Sequence, residues 1–183
     1  MKCIIGLGNP ESRYDGTRHN VGFAVLDEYA RQQRCSWKEN KRFKALVAEL
    51  PDRTLLVKPT TYYNLVGESA RAVADFYKLS PESILVVHDE LALPFGTLRT
   101  RERGSAAGNN GIKSLNAHLG PNYNRLRIGT YTQLKDRADA SDFVLAAFSA
   151  DERDTLAHAI VPEAIRHMNA FIDGKFAPTK TVV

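Results

Sequence analysis

The sequence predicts an α/β fold: a single domain built on a twisted mixed β-sheet with helices packed on both faces. Three observations carry this expectation. Short apolar runs of strand length alternate with segments of helical period along the chain. A hairpin, "FKALVAEL" and "TLLVKP", and a polar alternating strand, "GTLRTRERG", interrupt simple β-α-β order, which favours a mixed sheet over an all-parallel one. No repeat, low-complexity tract or linker divides the 183 residues, a length that one core can serve, so residues 1–183 are expected to form one domain.

The elements follow in order. "KCIIGL" is a short apolar run ended by glycine, a first strand. In "VGFAVLDEYARQQR" the residues Val21, Val25, Leu26 and Tyr29 share one helical face, with Asn20 placed to cap the N-terminus. The hairpin turns at Pro51, Asp52 and Arg53, and Val73, Phe76 and Tyr77 suggest a helix after Asn64. "SILVVHDE" is a buried strand that ends in charge, and "GSAAGNNG" is a glycine-rich loop. It leads into the helix "IKSLNAHLG", closed by Gly120, and "NRLRIGTY" is a further strand. "TQLKDRADASD" reads as a loop. "SADE" from Ser149 is a capping box, and Leu156, Ile160, Ala164 and Met168 recur every fourth residue toward Gly174, with Pro162 expected to kink or divide the helix. The tail "KFAPTKTVV" is expected to fray.

Composition narrows the function classes. The 43% hydrophobic and 25% charged content is that of a globular protein, and no apolar run approaches the roughly 18 residues of a membrane span, so no membrane partner is expected. "MKCIIGLGNP" reads as a strand and not as a secretory signal, which points to the cytoplasm. The two cysteines, Cys3 and Cys35, form neither a disulfide framework nor a C-x-x-C pair. A net charge of +4 permits a polyanionic partner without requiring one.

"GLGNPESRYDGTRHNVGF" opens like a nucleotide-binding loop, but the third glycine of G-x-G-x-x-G falls on Glu11, Pro10 removes a backbone donor, and no acidic residue ends a second strand some 20 residues on. The glycines are read instead as letting the chain turn, so that Asn9 and His19 enter a shared crevice. Other polar residues stand at comparable places: Asn64 ends "KPTTYYN", Asp89 ends a strand, and Asn109 and Asn110 lie in "GNNG". In a sheet with helical crossovers, groups at the C-terminal ends of strands converge. Histidine is the side chain suited to exchange protons near neutrality, so His19 can take a proton from water, and a buried Asp89 could fix its tautomer. Asparagines can hold an amide backbone and steady an oxyanion without neutralising the base. General-base hydrolysis of an ester or amide fits this set. No serine or cysteine sits in a nucleophile elbow and no H-E-x-x-H pattern is present, so covalent and zinc mechanisms have little support. His88 should face away from Asp89, in a structural role. Arg99, Arg101 and Arg103 alternate along one strand, as do Arg125 and Arg127 along another; such faces can bind phosphates or simply guard an exposed edge.

Together, "GLGNP", "TRHNVGF", "KPTTYYN", "HDEL" followed by "LPFG", "GSAAGNNGIKS" and "RLRIG" resemble, in order and spacing, the blocks of the bacterial-type peptidyl-tRNA hydrolases. They run from Gly6 to Gly129. The resemblance implies hydrolysis of the ester joining a peptide to the 3'-ribose of tRNA, by a monomer with no metal or cofactor, its partner being peptidyl-tRNA. By position, His19 matches the family's catalytic base and Asp89 its carboxylate partner. Asn9, Asn64 and Asn110 match the asparagines that position the peptide main chain, the water and the carbonyl. Tyr14 falls where a family tyrosine lies near the 3'-terminal nucleotide, and Arg101 and Arg127 align with basic positions assigned to the tRNA phosphate end. The chain departs from the pattern at four places. Tyr63 replaces the methionine of "TYMN", implying a narrower or more polar substrate channel; Asn109 replaces the histidine of "GGHNG"; Glu11 follows "GNP"; and "RIGTYTQ" replaces "RIGIG" and a proline. These departures keep open a second reading, a non-hydrolytic RNA-binding protein of the same fold.

Overall fold

The computed structural model describes residues 1–183. Eight strands form one sheet: β1 (Cys3–Gly6), β2 (Lys38–Asn40), β3 (Ala45–Glu49), β4 (Leu55–Pro59), β5 (Ile84–Pro94), β6 (Thr97–Arg101), β7 (Asn124–Tyr131) and β8 (Lys180–Val182), in the order β2-β3-β4-β1-β5-β7-β6-β8. The four central strands, β4, β1, β5 and β7, run parallel, while β2, β3, β6 and β8 add antiparallel pairs at the two sides. The mixed sheet expected from the hairpin and the polar strand is therefore present. Its parallel centre has a functional consequence: the C-terminal ends of β1, β4, β5 and β7 all open on one edge.

The helices are α1 (Val21–Gln32), α2 (Val66–Tyr77), α3 (Asn110–Leu119), α4 (Ala140–Leu145), α5 (Ala150–Thr155) and α6 (Val161–Ile172). They cover both faces because successive strand residues point to opposite sides. Ile4, Leu85 and Val87 pack with Val25 and Leu26 of α1 and Ala164 and Met168 of α6. Cys3, Ile5, Ile84 and Val86 pack with Val73 of α2 and Ile112 and Leu115 of α3. Burial pushes the Cys3 thiol up to about 12, so it is an inert core group.

Four local expectations are corrected. Gly6 and Gly8 are not needed for a turn, since neither has a positive φ. They are needed for close approach: a Cβ on Gly6 would lie 2.7 Å from the Gly22 carbonyl oxygen, and one on Gly8 2.7 Å from the Phe23 ring. Asn20 does not cap α1 with its side chain, which binds elsewhere. The segment read as a loop, 132–142, holds a 3-10 turn, Gln133–Arg137, and the first three residues of α4, which runs on to bury Phe143 and Val144; six residues are too few for a helical period to show. The tail does not fray. β8 pairs with β6, and Thr100 Oγ1 donates to the Ala177 carbonyl at 2.6 Å and accepts from Thr179 N at 2.7 Å. The Ser149 capping box forms as read, and a π-helical turn, Leu156–Ile160, separates α5 from α6 just before Pro162, whose missing N–H is harmless in a first turn.

Candidate active site

His19 lies in a short 3-10 turn, Arg18–Asn20, between β1 and α1. Its neighbours hold it in place. The buried Arg18 guanidinium donates to both oxygens of Glu152 at 2.8 Å and to the Ala147 carbonyl at 2.8 Å, and it sits 4.4 Å from the Phe143 ring centre. On the other side, Asn20 clasps the main chain of Asn9: its Oδ1 accepts from Asn9 N, and its Nδ2 donates to Asn9 O, both at 2.9 Å. A helix cap needs only a local partner; here the same amide joins two loops.

His19 Nδ1 meets Asp89 Oδ2 at 2.8 Å. An ionised carboxylate can only accept, so the imidazole proton sits on Nδ1 and Nε2 is the basic nitrogen. Asp89 is 2% exposed, and its other oxygen, Oδ1, accepts from Tyr63 Oη at 2.5 Å. The Tyr63 ring stacks on His19, with centroids 3.5 Å apart and planes 14° from parallel. Burial, together with the Asp89 charge, raises the Tyr63 phenol well above its ordinary range, so it stays protonated. His88, the next residue on β5, is buried with Nδ1 donating to the Asp89 carbonyl at 2.7 Å, and burial lowers its pKa to about 4. It is a neutral structural group on the opposite face from Asp89, as strand alternation predicts.

Two cavities of about 300 and 320 Å³ meet at His19. His19, Asn110, Ser141 and Val144 line both; Asp89, Glu90 and Asn109 line the first, and Asn9, Tyr63 and Asn64 the second. The structure thus gathers His19, Asp89, Asn9, Tyr63, Asn64 and Asn110 around one crevice. Asn9 Oδ1 accepts from Tyr63 N at 2.9 Å, which leaves its Nδ2 as a donor for a ligand. Tyr63 is 4% exposed, so its hydroxyl is a partner of Asp89 more than a wall of the channel. Tyr14 lines neither cavity and packs its ring under Arg13. Sequence reasoning missed α4, which supplies Ser141 and Val144, and missed the roles of Asn20 and Asn109. Asn109 carries two: its Oδ1 caps α3 by accepting from Ile112 N, and its Nδ2 donates to Tyr63 Oη.

The arginines divide. On β7, Arg127 is bound to Glu90 Oε2 through Nε and Nη2 at 2.9 and 2.7 Å, and the buried Arg125 donates to the carbonyls of Gly104 and Ser105. Arg127 is therefore not the free cation that its strand position suggested. Arg99 and Arg101 on β6, and Arg103 beyond it, carry no ion pair or hydrogen bond from their side chains, although Arg99 stands opposite Arg127 and Arg101 opposite Arg125 in the sheet. No group of three or more His, Cys, Asp or Glu is gathered as metal ligands, and no helix is long and apolar enough to cross a membrane.

The family model described as peptidyl-tRNA hydrolase matches residues 3–182. The chain belongs to the peptidyl-tRNA hydrolase family. Among its relatives, the peptidyl-tRNA hydrolase of Synechocystis sp. is 46% identical over 172 residues, which are 91% of this chain and 88% of that one. The Gloeobacter violaceus enzyme is 47% identical over 160 residues, covering 85% and 80%. The crystal structure of peptidyl-tRNA hydrolase from Acinetobacter baumannii superposes with a TM-score of 0.85 at 31% identity, over 96% of this chain and 90% of that one. The twisted mixed sheet with helices on both faces is thus the architecture of a peptidyl-tRNA hydrolase.

Proposed function

We propose that this chain hydrolyses the ester between a peptide and the 3'-ribose of tRNA, releasing free tRNA and the peptide acid. The observation that carries the reading is the His19–Asp89 pair at 2.8 Å, its Nε2 unpartnered at the junction of two cavities bordered by amides. In this mechanism His19 Nε2 takes a proton from water as the water oxygen attacks the ester carbonyl. Asp89 stabilises the imidazolium that forms. The tetrahedral oxyanion is met by neutral donors, Asn110 Nδ2 and Asn9 Nδ2, while Asn64 at the outer rim holds the peptide main chain. Collapse breaks the bond to the ribose oxygen, which leaves with the proton returned by His19. No external reagent beyond water is needed.

The tRNA phosphates would lie along Arg99, Arg101 and Arg103, where free guanidinium groups supply affinity with little sequence reading. Arg127 contributes indirectly, by neutralising Glu90 beside the crevice. Tyr14 belongs to the outer approach to the site and not to its centre. Residues 1–183 act as one domain and as a single chain, in the cytoplasm where peptidyl-tRNA arises. The non-hydrolytic alternative is disfavoured because the base, its carboxylate and the amides are assembled together. Hydrolysis of an N-blocked aminoacyl-tRNA beside its unblocked form tests the reading: cleavage of the blocked ester alone is expected, and equal cleavage of both, or of neither, would overturn it.

A further inference from the structure

Tyr63 and Asn109 are two of the places where the sequence departs from the family pattern, and they lie 46 residues apart in the chain. In the structure they touch each other and the His19–Asp89 pair. Asn109 Oδ1 accepts from Ile112 N at 3.0 Å, which turns Nδ2 toward Tyr63 Oη, also at 3.0 Å. An amide nitrogen can only donate. The Tyr63 oxygen must therefore accept from Asn109 and send its single proton to Asp89 Oδ1, 2.5 Å away. A glycine makes room for this ring: a Cβ on Gly111 would lie 2.5 Å from Tyr63 Cε1.

We propose that Tyr63 and Asn109 act together as a positioning unit for the His19–Asp89 pair, Tyr63 fixing the Asp89 carboxylate and covering one face of the His19 ring while Asn109 sets the direction of the phenol proton. With both oxygens engaged, Asp89 cannot rotate away from His19 Nδ1. With one ring face covered, the imidazole keeps its Nε2 edge toward the crevice. Tyr63 has no second proton to give, so it is a positioning residue and not an acid. The titratable groups facing His19 are Asp89 and Tyr63; Glu90, next along β5, is held by Arg127, and Ser141, Val144 and Asn110, from α4 and α3, carry no charge.

The sign of the effect follows from charge. When His19 is neutral, Asp89 carries an uncompensated negative charge that the phenol stabilises. When His19 is protonated, the imidazolium shares that work. Removing the phenol proton therefore destabilises the neutral-imidazole state more and raises the His19 pKa, by about 0.5 to 1 pH unit for part of one charge-assisted hydrogen bond.

The test is Tyr63→Phe, which keeps the stacked ring and deletes the hydroxyl. NMR titration of the His19 ring in the free protein should show the midpoint moving up by about 0.5 to 1 unit, and the acid limb of the kcat/KM profile should move with it. Asn109→Ser, which retains a capping oxygen, should move the midpoint the same way by less, and should add nothing in the Tyr63→Phe background. An unmoved midpoint in Tyr63→Phe, or additive shifts in the double variant, would overturn the proposal. Should Tyr63→Phe fail to fold, Asn109→Ser alone decides on the same criterion. The proposal rests on reading His19 as the base, but the NMR readout needs no substrate. A shifted midpoint in a protein that hydrolyses nothing would support the positioning unit and refute the function instead.

Discussion

Asn20→Ala is predicted to be among the more damaging single changes outside the reacting groups. Asn20 is 3% exposed and makes two buried hydrogen bonds, one to each polar group of the Asn9 main chain, both at 2.9 Å. Alanine leaves the Asn9 N–H and carbonyl without those partners in a place where water has little access. Each orphaned group costs about 1 to 3 kcal/mol, so about 2 to 4 kcal/mol is expected for the pair after partial relaxation. In a domain of this size that lowers Tm by roughly 5 to 15 °C. Asn9 Oδ1 in turn holds Tyr63 N, so the crevice loosens as well, and kcat should fall about tenfold or more from misplacement alone. Thermal unfolding and urea titration measure the first effect, and hydrolysis of N-blocked aminoacyl-tRNA the second. A Tm within about 2 °C of the parent would refute the assignment of Asn20 as a clasp between loops.

Other outcomes follow from the same contacts. Asp89→Asn should present a donor to His19 Nδ1 and favour the wrong tautomer, lowering kcat by about 10² to 10⁴ with little change in KM; parent-like kcat would exclude the pair as the base. Arg101→Ala should weaken tRNA binding and reduce the slope of log K against log salt by about one phosphate contact, without altering stability. Arg127→Ala should instead strand the buried Glu90 carboxylate and cost roughly 3 kcal/mol in urea unfolding, and equal stability in the two arginine variants would contradict this division. His88 is held neutral by burial to about pH 4, whereas the unfolded chain protonates it near 6.5. The unfolded state then binds more protons across that window, so stability should fall by up to about 3 kcal/mol as pH drops from about 6.5 to 4, and His88→Gln should flatten this slope; an unchanged slope would assign the acid lability to other groups.

Much of this was legible in the sequence, because parallel strands carry loop residues to a common edge. Asp89 stands near the C-terminal end of β5, and Asn9 and Asn64 lie in the segments that follow β1 and β4, while His19 and Asn110 reach the same crevice from the turn before α1 and the start of α3. What stayed hidden depends on directions that spacing does not encode. Tyr63 was read as a channel wall, since nothing in "TTYYN" says that its hydroxyl turns inward to Asp89; its company with Asn109 shows only when residues 46 apart meet. Two departures from one motif pattern flanking the same pair were the available signal. Asn20 satisfies the local rule for a helix cap, but a tertiary demand took the side chain. Arg127 alternates as a phosphate-binding strand residue should, yet the neighbouring strand supplies Glu90. β8 has three residues and its partner β6 lies far back in the chain, Thr97 opposite Val182, so no local pattern could announce it.

The most direct measurement is single-turnover hydrolysis of one N-blocked aminoacyl-tRNA by the parent protein and by His19→Ala at equal tRNA occupancy. The parent should release free tRNA and the blocked amino acid, and His19→Ala should do so at least about 10²-fold more slowly while binding tRNA as before. Equal rates would show that the His19–Asp89 pair is not the base on which the proposed chemistry depends.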